Sequence, residues 1–221
     1  MSEINNSKKS VFWEALILAI FIFASGIFLG YLLEMNRTND VITLYQQSEL
    51  DLLDLKAQDS IMSLKVINCP LFFNEIFDFA DRAYNEAKLL ERYEDASEIS
   101  KGIMLQHKKY DLLRTTLWID SVKFRERCNI NFSTVVYFYE YQSEDIELKS
   151  EQTVFSKKLG ELKEKYGGEI LLIPIAGNLG ISSIDYLLAE YNITHLPSIL
   201  INEDIKIDNL DSLSSIDSYF D

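Results

Sequence analysis

The sequence predicts an α/β fold class in which a transmembrane helix and an α-helical hairpin or coiled-coil stalk precede a C-terminal α/β domain. Three observations predict it: a charge-free apolar run near the N-terminus, a long central region with helical spacing of its apolar residues, and strand-like runs that alternate with amphipathic segments after Asn129. The expected segments are an N-terminal segment (1–11), a transmembrane helix (12–35), a helical stalk (36–128) and a C-terminal domain (129–221).

The composition is that of a folded, acidic chain. Of its 221 residues, 48% are hydrophobic and 25% are charged, which excludes a compositionally disordered protein. The formal net charge is −14, and from Asn129 to the end there are 16 Asp and Glu against 6 Lys and Arg. Because such a surface repels phosphates, nucleic acid is excluded as a partner. These charges are expected to keep the surface solvated and soluble.

The apolar run Ala15–Leu33 predicts a membrane anchor that lies in the lipid bilayer. The run has no charged residue, and at 1.5 Å per residue such a helix is about 28 Å long, close to the hydrocarbon thickness of a bilayer. Trp13 and Tyr31 lie near its two ends, where aromatic rings favour the interface. The alternative is a cleaved signal peptide, whose apolar core is usually shorter.

Lysines before the span set the expected orientation. Lys8 and Lys9 precede the run and only Arg37 follows it closely. The N-terminus is therefore expected in the cytoplasm and the C-terminal domain outside, in a single-pass protein of the cell membrane. Gly26 and Gly30 form a G-x-x-x-G pattern that lets two helices approach. A homodimer through these glycines or through the stalk is an expected partnership.

Helical spacing continues beyond the span. The polar run Asn36–Asp40 is expected to end the first helix or to cap a new one over Val41–Val66. Two further helices are expected. Pro70–Asp95 carries apolar residues on one face, and the stretch from Ile99 to Phe124 carries them at near-heptad spacing. A turn at Asp95–Ser97 would make these two helices antiparallel neighbours.

The two cysteines flank this predicted hairpin. Cys69 lies just before the outgoing helix and Cys128 just after the returning one, so both are expected at the same end. A disulfide is predicted if the Cα atoms come within about 7 Å, and an oxidising location outside the cytoplasm would keep it. The alternative is two independent buried cysteines in a reduced protein.

From Asn129 the chain alternates strands and helices. The runs "STVVYFYEY", "EILLIPIAG", "PSILIN" and "EDIKI" have strand composition. Helices are predicted at Glu151–Tyr166 and Ser182–Tyr191, with a short last helix in "SLSSIDSYF". Because a helix separates the first two strands, they are connected by a crossover and are predicted to be parallel.

The segment Tyr166–Ile207 resembles the second half of thioredoxin. Its part "YNITHLPSILINEDIKI" is similar to that family's sequence of an aromatic residue, a hydrophobic-Pro step, an apolar strand, a short turn and a further strand. By this resemblance Pro197 takes the place of the family's cis-proline, which implies a cis Leu196–Pro197 bond. The resemblance implies a thioredoxin-like C-terminal domain.

The chain departs from that family where the family carries its catalytic Cys-x-x-Cys. The matching place, around Gln142–Leu148, has no cysteine, so disulfide exchange at this site is excluded. Glu144, Asp145 and Glu147 are expected to form a solvated acidic loop there. No catalytic residue, cofactor or metal site is predicted, and His107 is expected to be solvated or at an edge rather than a metal ligand.

The expected function is binding at the groove beside Pro197. In the family this groove holds extended polypeptide by strand pairing. The residues that would line it are Thr194, His195, Leu196 and Pro197, with Gln142 and Ser143 opposite. A protein-binding or scaffolding module is expected rather than an enzyme. The alternatives are a redox or disulfide-bond assembly factor that uses Cys69 and Cys128, and an assembly or chaperone subunit that works with a partner oxidoreductase.

Overall fold

The structure, a computed structural model, describes residues 3–62, 68–94 and 101–220. Its helices are α1 (Glu3–Met62), α2 (Cys69–Glu94), α3 (Lys101–Cys128), α4 (Ile146–Tyr166), α5 (Ser182–Glu190) and α6 (Leu210–Ser214). Its strands are β1 (Ser133–Tyr139), β2 (Ile170–Ala176), β3 (Ser198–Ile201) and β4 (Ile205–Ile207). Short 3₁₀ turns lie at Gly167–Glu169 and Ile216–Tyr219. The chain divides into two compact units, one up to Leu44 and one from Tyr45 onward.

The first unit contains the apolar part of α1. Among the described residues, Phe12–Leu32 is the one helical segment long and apolar enough to cross a membrane. Its large side chains are exposed, as Phe21 and Phe23 show with exposed fractions of 69% and 71%. In water such a surface would be unfavourable, whereas hydrocarbon is a suitable solvent for it. The sequence prediction of an apolar helix with this capacity is confirmed.

The predicted break at Asn36–Asp40 is wrong. Helix α1 runs through this polar segment and continues to Met62. Asn, Thr and Asp each disfavour a helix interior by well under about 1 kcal/mol relative to Ala, and no Gly or Pro lies between Tyr31 and Met62 to stop the helix. The last residues of the helix expected over Val41–Val66, and the turn expected at Asp95–Ser97, lie outside the described residues.

The second unit is built on a four-stranded mixed sheet. The strand order is β2-β1-β3-β4. Strand β1 is parallel to β2, with Ser133 opposite Ile170 and Tyr139 opposite Ala176. Strand β3 is antiparallel to both β1 and β4. The predicted parallel pairing of the first two strands is confirmed, and helix α4 forms the crossover between them.

Helices cover both faces of this sheet. On one face, Val135 and Tyr137 of β1 belong to a buried cluster with Phe155 of α4 and Leu213 of α6. On the other face α3 packs against β1 and β2, and α2 packs against β2. There the Trp118 ring of α3 meets Phe138 with ring centroids 5.9 Å apart. Because both faces are buried, the strands are apolar throughout rather than alternating.

The last part of α1 belongs to this second unit. Leu55 is buried, with an exposed fraction of 1%. Ion pairs between described residues join the helix to α3: Lys123 Nζ lies 2.8 Å from Asp59 Oδ1, and Lys109 pairs with Glu49. These ion pairs therefore hold the last part of α1 against α3.

Candidate functional site

The loop between β1 and α4 begins where the central strand ends. Asp145 caps α4: its Oδ1 accepts hydrogen bonds from the backbone N–H of Glu147 (2.8 Å) and Leu148 (3.4 Å). Ser143 is buried, and its Oγ accepts from the Asp145 N–H at 3.3 Å. Gln142 is exposed and has a φ of 53°, a conformation uncommon for residues other than glycine. The acidic loop is thus ordered by the helix cap, while Glu144, Asp145 and Glu147 are exposed as expected.

A second loop, between β2 and α5, supports the first. The Tyr141 N–H donates to Asn178 Oδ1 at 2.8 Å, and the Asn178 side-chain amide donates to the Tyr141 carbonyl at 2.9 Å. The Gly177 N–H donates to the Tyr139 carbonyl at 2.8 Å. These three bonds satisfy backbone groups beyond the end of β1 and fix the position of the residue before Gln142.

The segment before β3 contacts the same support. The Leu196–Pro197 bond is cis, as the resemblance to thioredoxin implies. A Cβ built on Gly177 would lie 3.0 Å from Leu196 Cδ1, so the glycine allows this side chain to approach the loop closely. Thr194 and His195 are exposed, and Ser198 Oγ donates to the His195 carbonyl at 2.6 Å.

The predicted site residues therefore lie in two segments, around Gln142–Ser143 and around Thr194–Pro197. Both segments adjoin the loop between β2 and α5. The first segment is held through Tyr139 and Tyr141, and the second lies against Gly177 through Leu196. Leu196 is half-buried and Pro197 is buried. That these residues bind a partner stays a prediction.

Behind the first loop lies a buried polar network that sequence reasoning missed. His107 Nε2 lies 3.1 Å from the Tyr139 hydroxyl and 3.4 Å from Asp111 Oδ2. Its ring stacks on Tyr141 with centroids 3.8 Å apart. Asp111 Oδ1 lies 3.2 Å from Arg114 Nη1. The expectation of a solvated or edge histidine is wrong, because His107 has an exposed fraction of only 7%.

The available signal was the spacing of three ionisable residues on one helix. His107, Asp111 and Arg114 stand at i, i+4 and i+7 of α3, which puts them on one face. Such a face is usually solvated, so the pattern alone does not reveal burial.

Burial decides the electrostatics of this network. It raises the pKa of the Asp111 carboxyl, and the charges of His107 and Arg114 oppose that rise. Burial also disfavours the charged guanidinium of Arg114, but Tyr110, Tyr139 and Asp111 hold the pKa of Arg114 above its ordinary value. The guanidinium lies 4.1 Å from the centroid of the Tyr110 ring, which favours its positive charge.

The predicted disulfide is present. Cys69 and Cys128 are joined with an S–S distance of 1.97 Å and a Cα–Cα distance of 5.8 Å. The first residue of α2 is thereby bonded to the last residue of α3. Nearby, the rings of Phe72 and Phe124 pack with centroids 5.2 Å apart. The cysteines therefore close the hairpin at one end, as their sequence positions indicated.

The two loops carry hydrogen-bonding groups and no thiol. Residues 129–221 contain no cysteine, so no thiolate can form at the helix cap. Within the described part of the chain, no group of three or more His, Cys, Asp or Glu is placed to hold a metal ion. What the loops present are exposed polar residues such as Gln142, Thr194 and His195.

Comparisons with known proteins give only distant likenesses. No protein-family model matches the chain, and no curated protein matches it. A solved malarial protein is 19% identical over 39% of this chain and 97% of its own, with a TM-score of 0.29. A designed protein is 19% identical over 45% of this chain and 86% of its own, with a TM-score of 0.32.

Thioredoxin O2 from Arabidopsis thaliana, in its oxidised state, is also similar in part. It is 14% identical over 46% of this chain and 83% of its own, with a TM-score of 0.32. At these scores none of the likenesses supports a conclusion about function. The chain itself is a mixed α/β protein with an N-terminal apolar helix, a four-stranded mixed sheet and a Cys69–Cys128 disulfide.

Proposed function

We propose that this chain is a single-pass, membrane-anchored binding or scaffolding protein. Its second unit, from Tyr45 onward, is proposed to lie outside the cytoplasm and is here called the outer unit; it has a thioredoxin-like topology without the catalytic dithiol. Strand order supports the topology. Helix α4 connects the parallel strands β1 and β2. Helix α5 then leads to β3, which is antiparallel to β1, and β4 follows, so that the strand order is β2-β1-β3-β4. In this topology the cis-proline precedes the third strand, which is where Pro197 stands.

One observation carries the proposed site: two loops meet at the carboxyl end of the central strand. In open α/β sheets, ligands bind in the crevice outside the carboxyl ends of the strands, where the chain leaves in opposite directions. Strand β1 lies between β2 and β3, and its end is the loop that Asn178 supports. Leu196 lies against Gly177 of the same supporting loop. The proposed crevice lies between Gln142–Ser143 and Thr194–Pro197.

Extended polypeptide is the ligand class that fits this crevice. Both edges of β3 are already paired, with β1 and β4. Thr194 and His195, just before the strand, are exposed residues that a partner segment can reach. Added strand pairing of this kind draws its affinity from main-chain hydrogen bonds.

Membrane attachment and orientation are part of the proposal. The apolar segment Phe12–Leu32 supports attachment, and Lys8 and Lys9 before it favour a cytoplasmic N-terminus. The Cys69–Cys128 disulfide supports an oxidising surrounding for the outer unit. Protease added to intact cells is expected to digest the outer unit, and complete protection of that unit would contradict the orientation.

The disulfide also favours a second candidate function. If the Cys69–Cys128 pair cycles between reduced and oxidised forms, the chain is a disulfide-bond assembly factor or works with a partner oxidoreductase. The two candidates differ in one measurement, because only the second requires the cysteines. Binding of a partner by a Cys69→Ser/Cys128→Ser chain that remains folded favours the first candidate.

Site-directed photo-cross-linking in native membranes tests the binding site. A photo-reactive amino acid is placed at Thr194 or His195 and, as a control, at the exposed Glu161 of α4. We expect a discrete protein adduct from the first two positions and none from Glu161. Substituting His195→Ala should weaken the adduct formed from Thr194. Adducts that form equally at Glu161, or only from residues of α2 and α3, would reject the crevice as the binding site.

A further inference from the structure

The two histidines of the chain differ in burial. His195 is exposed at the proposed crevice, whereas His107 is buried behind the loop between β1 and α4. Histidine is the side chain whose charge changes between pH 5 and 8. Among the described residues, ionisable side chains contact the His107 ring from α3, from β1 and from the loop after β1, and these are Asp111, Tyr139 and Tyr141. A fourth ionisable group, Arg114 of α3, contacts both Asp111 and Tyr139.

The contacts of His107 Nε2 indicate where the neutral ring carries its proton. Nε2 lies 3.1 Å from the Tyr139 hydroxyl and 3.4 Å from Asp111 Oδ2. A nitrogen of neutral imidazole either donates or accepts, so it cannot serve both groups. Asp111 Oδ2 is buried and accepts no hydrogen bond from the described residues. Arg114, which can only donate, hydrogen-bonds to the Tyr139 oxygen, and this leaves the Tyr139 O–H to donate to Nε2. The proton of the neutral ring is therefore on Nδ1.

A second proton, added to Nε2, reverses the role of this nitrogen. Both nitrogens of the imidazolium are donors, so Nε2 no longer accepts from Tyr139. The Asp111 carboxylate, in contact with the ring, favours the positive charge, and Arg114 opposes it. Asp111 Oδ2 is also the buried acceptor that lacks a hydrogen bond. Protonation therefore exchanges the hydrogen bond between Tyr139 and His107 for an ion pair between His107 and Asp111.

This exchange reaches the candidate site through two tyrosines. The His107 ring stacks on Tyr141 with centroids 3.8 Å apart, and Tyr141 directly precedes the Gln142–Ser143 wall of the proposed crevice. The Tyr139 carbonyl accepts the hydrogen bond from Gly177 that joins this loop to the next. A ring that moves toward Asp111 leaves the Tyr139 hydroxyl and changes its stacking on Tyr141. The loop after β1 then loses support on its buried side.

We propose that His107 is a positioning residue of the crevice, and that its protonation loosens the Gln142–Ser143 wall and weakens binding there. The proposal concerns the regulation of the binding site proposed above and rests on that site. His107 does not line the crevice and acts through Tyr139 and Tyr141.

Hydrogen exchange of the full-length chain in detergent, without a partner, tests the movement of the wall. Protection of the amides at 141–143 is measured at about pH 5 and at about pH 8, each relative to an unstructured peptide at the same pH. We expect several-fold lower protection at the lower pH and little change in β1. No difference at 141–143 between the two pH values would overturn the proposal.

Matched variants assign the response to one histidine. His107→Gln keeps a neutral hydrogen-bonding side chain and should abolish the pH dependence, whereas His195→Gln should leave that of the loop unchanged. Asp111→Asn removes the charge that stabilises the imidazolium and should shift the response to lower pH. Trp118 fluorescence in a Trp13→Phe background reports whether each variant is folded. A response that persists in folded His107→Gln, or is unaltered in Asp111→Asn, would overturn the proposal.

Photo-cross-linking separates this regulation from the binding on which it rests. With the photo-reactive amino acid at Thr194, the adduct yield should be several-fold lower at the lower pH in the wild-type chain, and His107→Gln should remove that difference. A loop response without any adduct from Thr194 would reject the crevice as a binding site and leave the loop movement standing. An adduct that forms equally at both pH values while the loop responds would reject the regulation and leave the crevice standing.

Discussion

Arg125 at the end of α3 forms an ion pair with Glu203 in the three-residue turn (202–204) between β3 and β4. The same carboxylate accepts hydrogen bonds from Trp118 Nε1 at 2.7 Å and from Thr134 Oγ1 at 2.6 Å. Asn202 and Glu203 have φ values of 51° and 61°, the left-handed conformation that short hairpin turns require. The Glu203 side chain, in the turn between β3 and β4, therefore contacts both α3 and β1.

Removing this carboxylate should destabilise the second unit. The substitution Glu203→Ala leaves three donors without their acceptor, and we expect the free energy of unfolding to fall by about 2–4 kcal/mol. Urea unfolding of the detergent-solubilised chain, followed by Trp118 fluorescence in a Trp13→Phe background, measures the change. Asp204→Ala, at the exposed next residue, is the control and should change stability by less than about 0.5 kcal/mol. Equal effects of both substitutions would contradict the assigned role.

The disulfide should contribute substantially to stability. The sequence separation of the cysteines is 59, and closing a loop of that length stabilises by about 4 kcal/mol in the chain-entropy model. The Cys69→Ser/Cys128→Ser chain should lose about that amount in the same urea experiment. In wild-type protein unfolded without reductant, neither cysteine should react with an alkylating reagent. Free labelling of both would show that they are not paired.

The buried network should respond non-additively to substitution. Arg114→Met removes the guanidinium that lies 3.2 Å from Asp111 Oδ1 and leaves the buried carboxylate beside His107, which should cost about 3–5 kcal/mol. Asp111→Asn removes that charge, so the Asp111→Asn/Arg114→Met double variant should be more stable than Arg114→Met alone. Unfolding free energies of the two single variants and the double variant complete the cycle. A sum of independent effects would indicate that the two side chains do not interact.

Stability should decrease at acid pH through Asp217. A hydrogen bond from Lys158, with a further contribution from Lys165, lowers the pKa of Asp217 below its ordinary value of 3.8. A lowered pKa in the folded state means that the ionised carboxylate stabilises the fold above the unfolded pKa. This contribution is lost as the pH falls below 3.8 and through the folded pKa.

The Asp217→Asn variant isolates this contribution. It should be less stable than wild type at pH 7, and the difference should shrink as the pH falls below the ordinary carboxyl range. Urea midpoints measured across this range give the comparison. A difference that does not depend on pH would assign the effect of the substitution to packing rather than to the charge.

Loss of the Asn178 side chain should loosen the loop at the candidate site. Asn178→Ala removes both side-chain hydrogen bonds to the Tyr141 backbone. We expect faster hydrogen exchange of the backbone amides at 141–143, with little change in the core strands. Exchange followed by mass spectrometry on the full-length chain measures this, with the exposed Asn131→Ala as control. Unchanged exchange at Tyr141 would show that the loop is ordered without Asn178.

Several features followed from the sequence because they depend on local patterns. The apolar run near the N-terminus, the crossover that makes β1 and β2 parallel and the pairing of Cys69 with Cys128 can each be read from spacing along the chain. The resemblance around Pro197 added the cis bond. The predicted break at Asn36–Asp40 failed because polar residues lower helix propensity only slightly and nothing else in that run stops a helix.

The environment of His107 was decided by tertiary structure alone. In the sequence this histidine lies on a charged helix face, which is typical of an exposed surface. Its partners Tyr139 and Tyr141 are more than 30 residues away and reach it only when α3 packs against the end of β1. Ionisable groups are buried only where such partners surround them. The sequence around His107 does not show which distant residues will do so. The sequence by itself determined the apolar helix, the crossover between β1 and β2 and the cysteine pair, whereas packing determined which polar residues became interior.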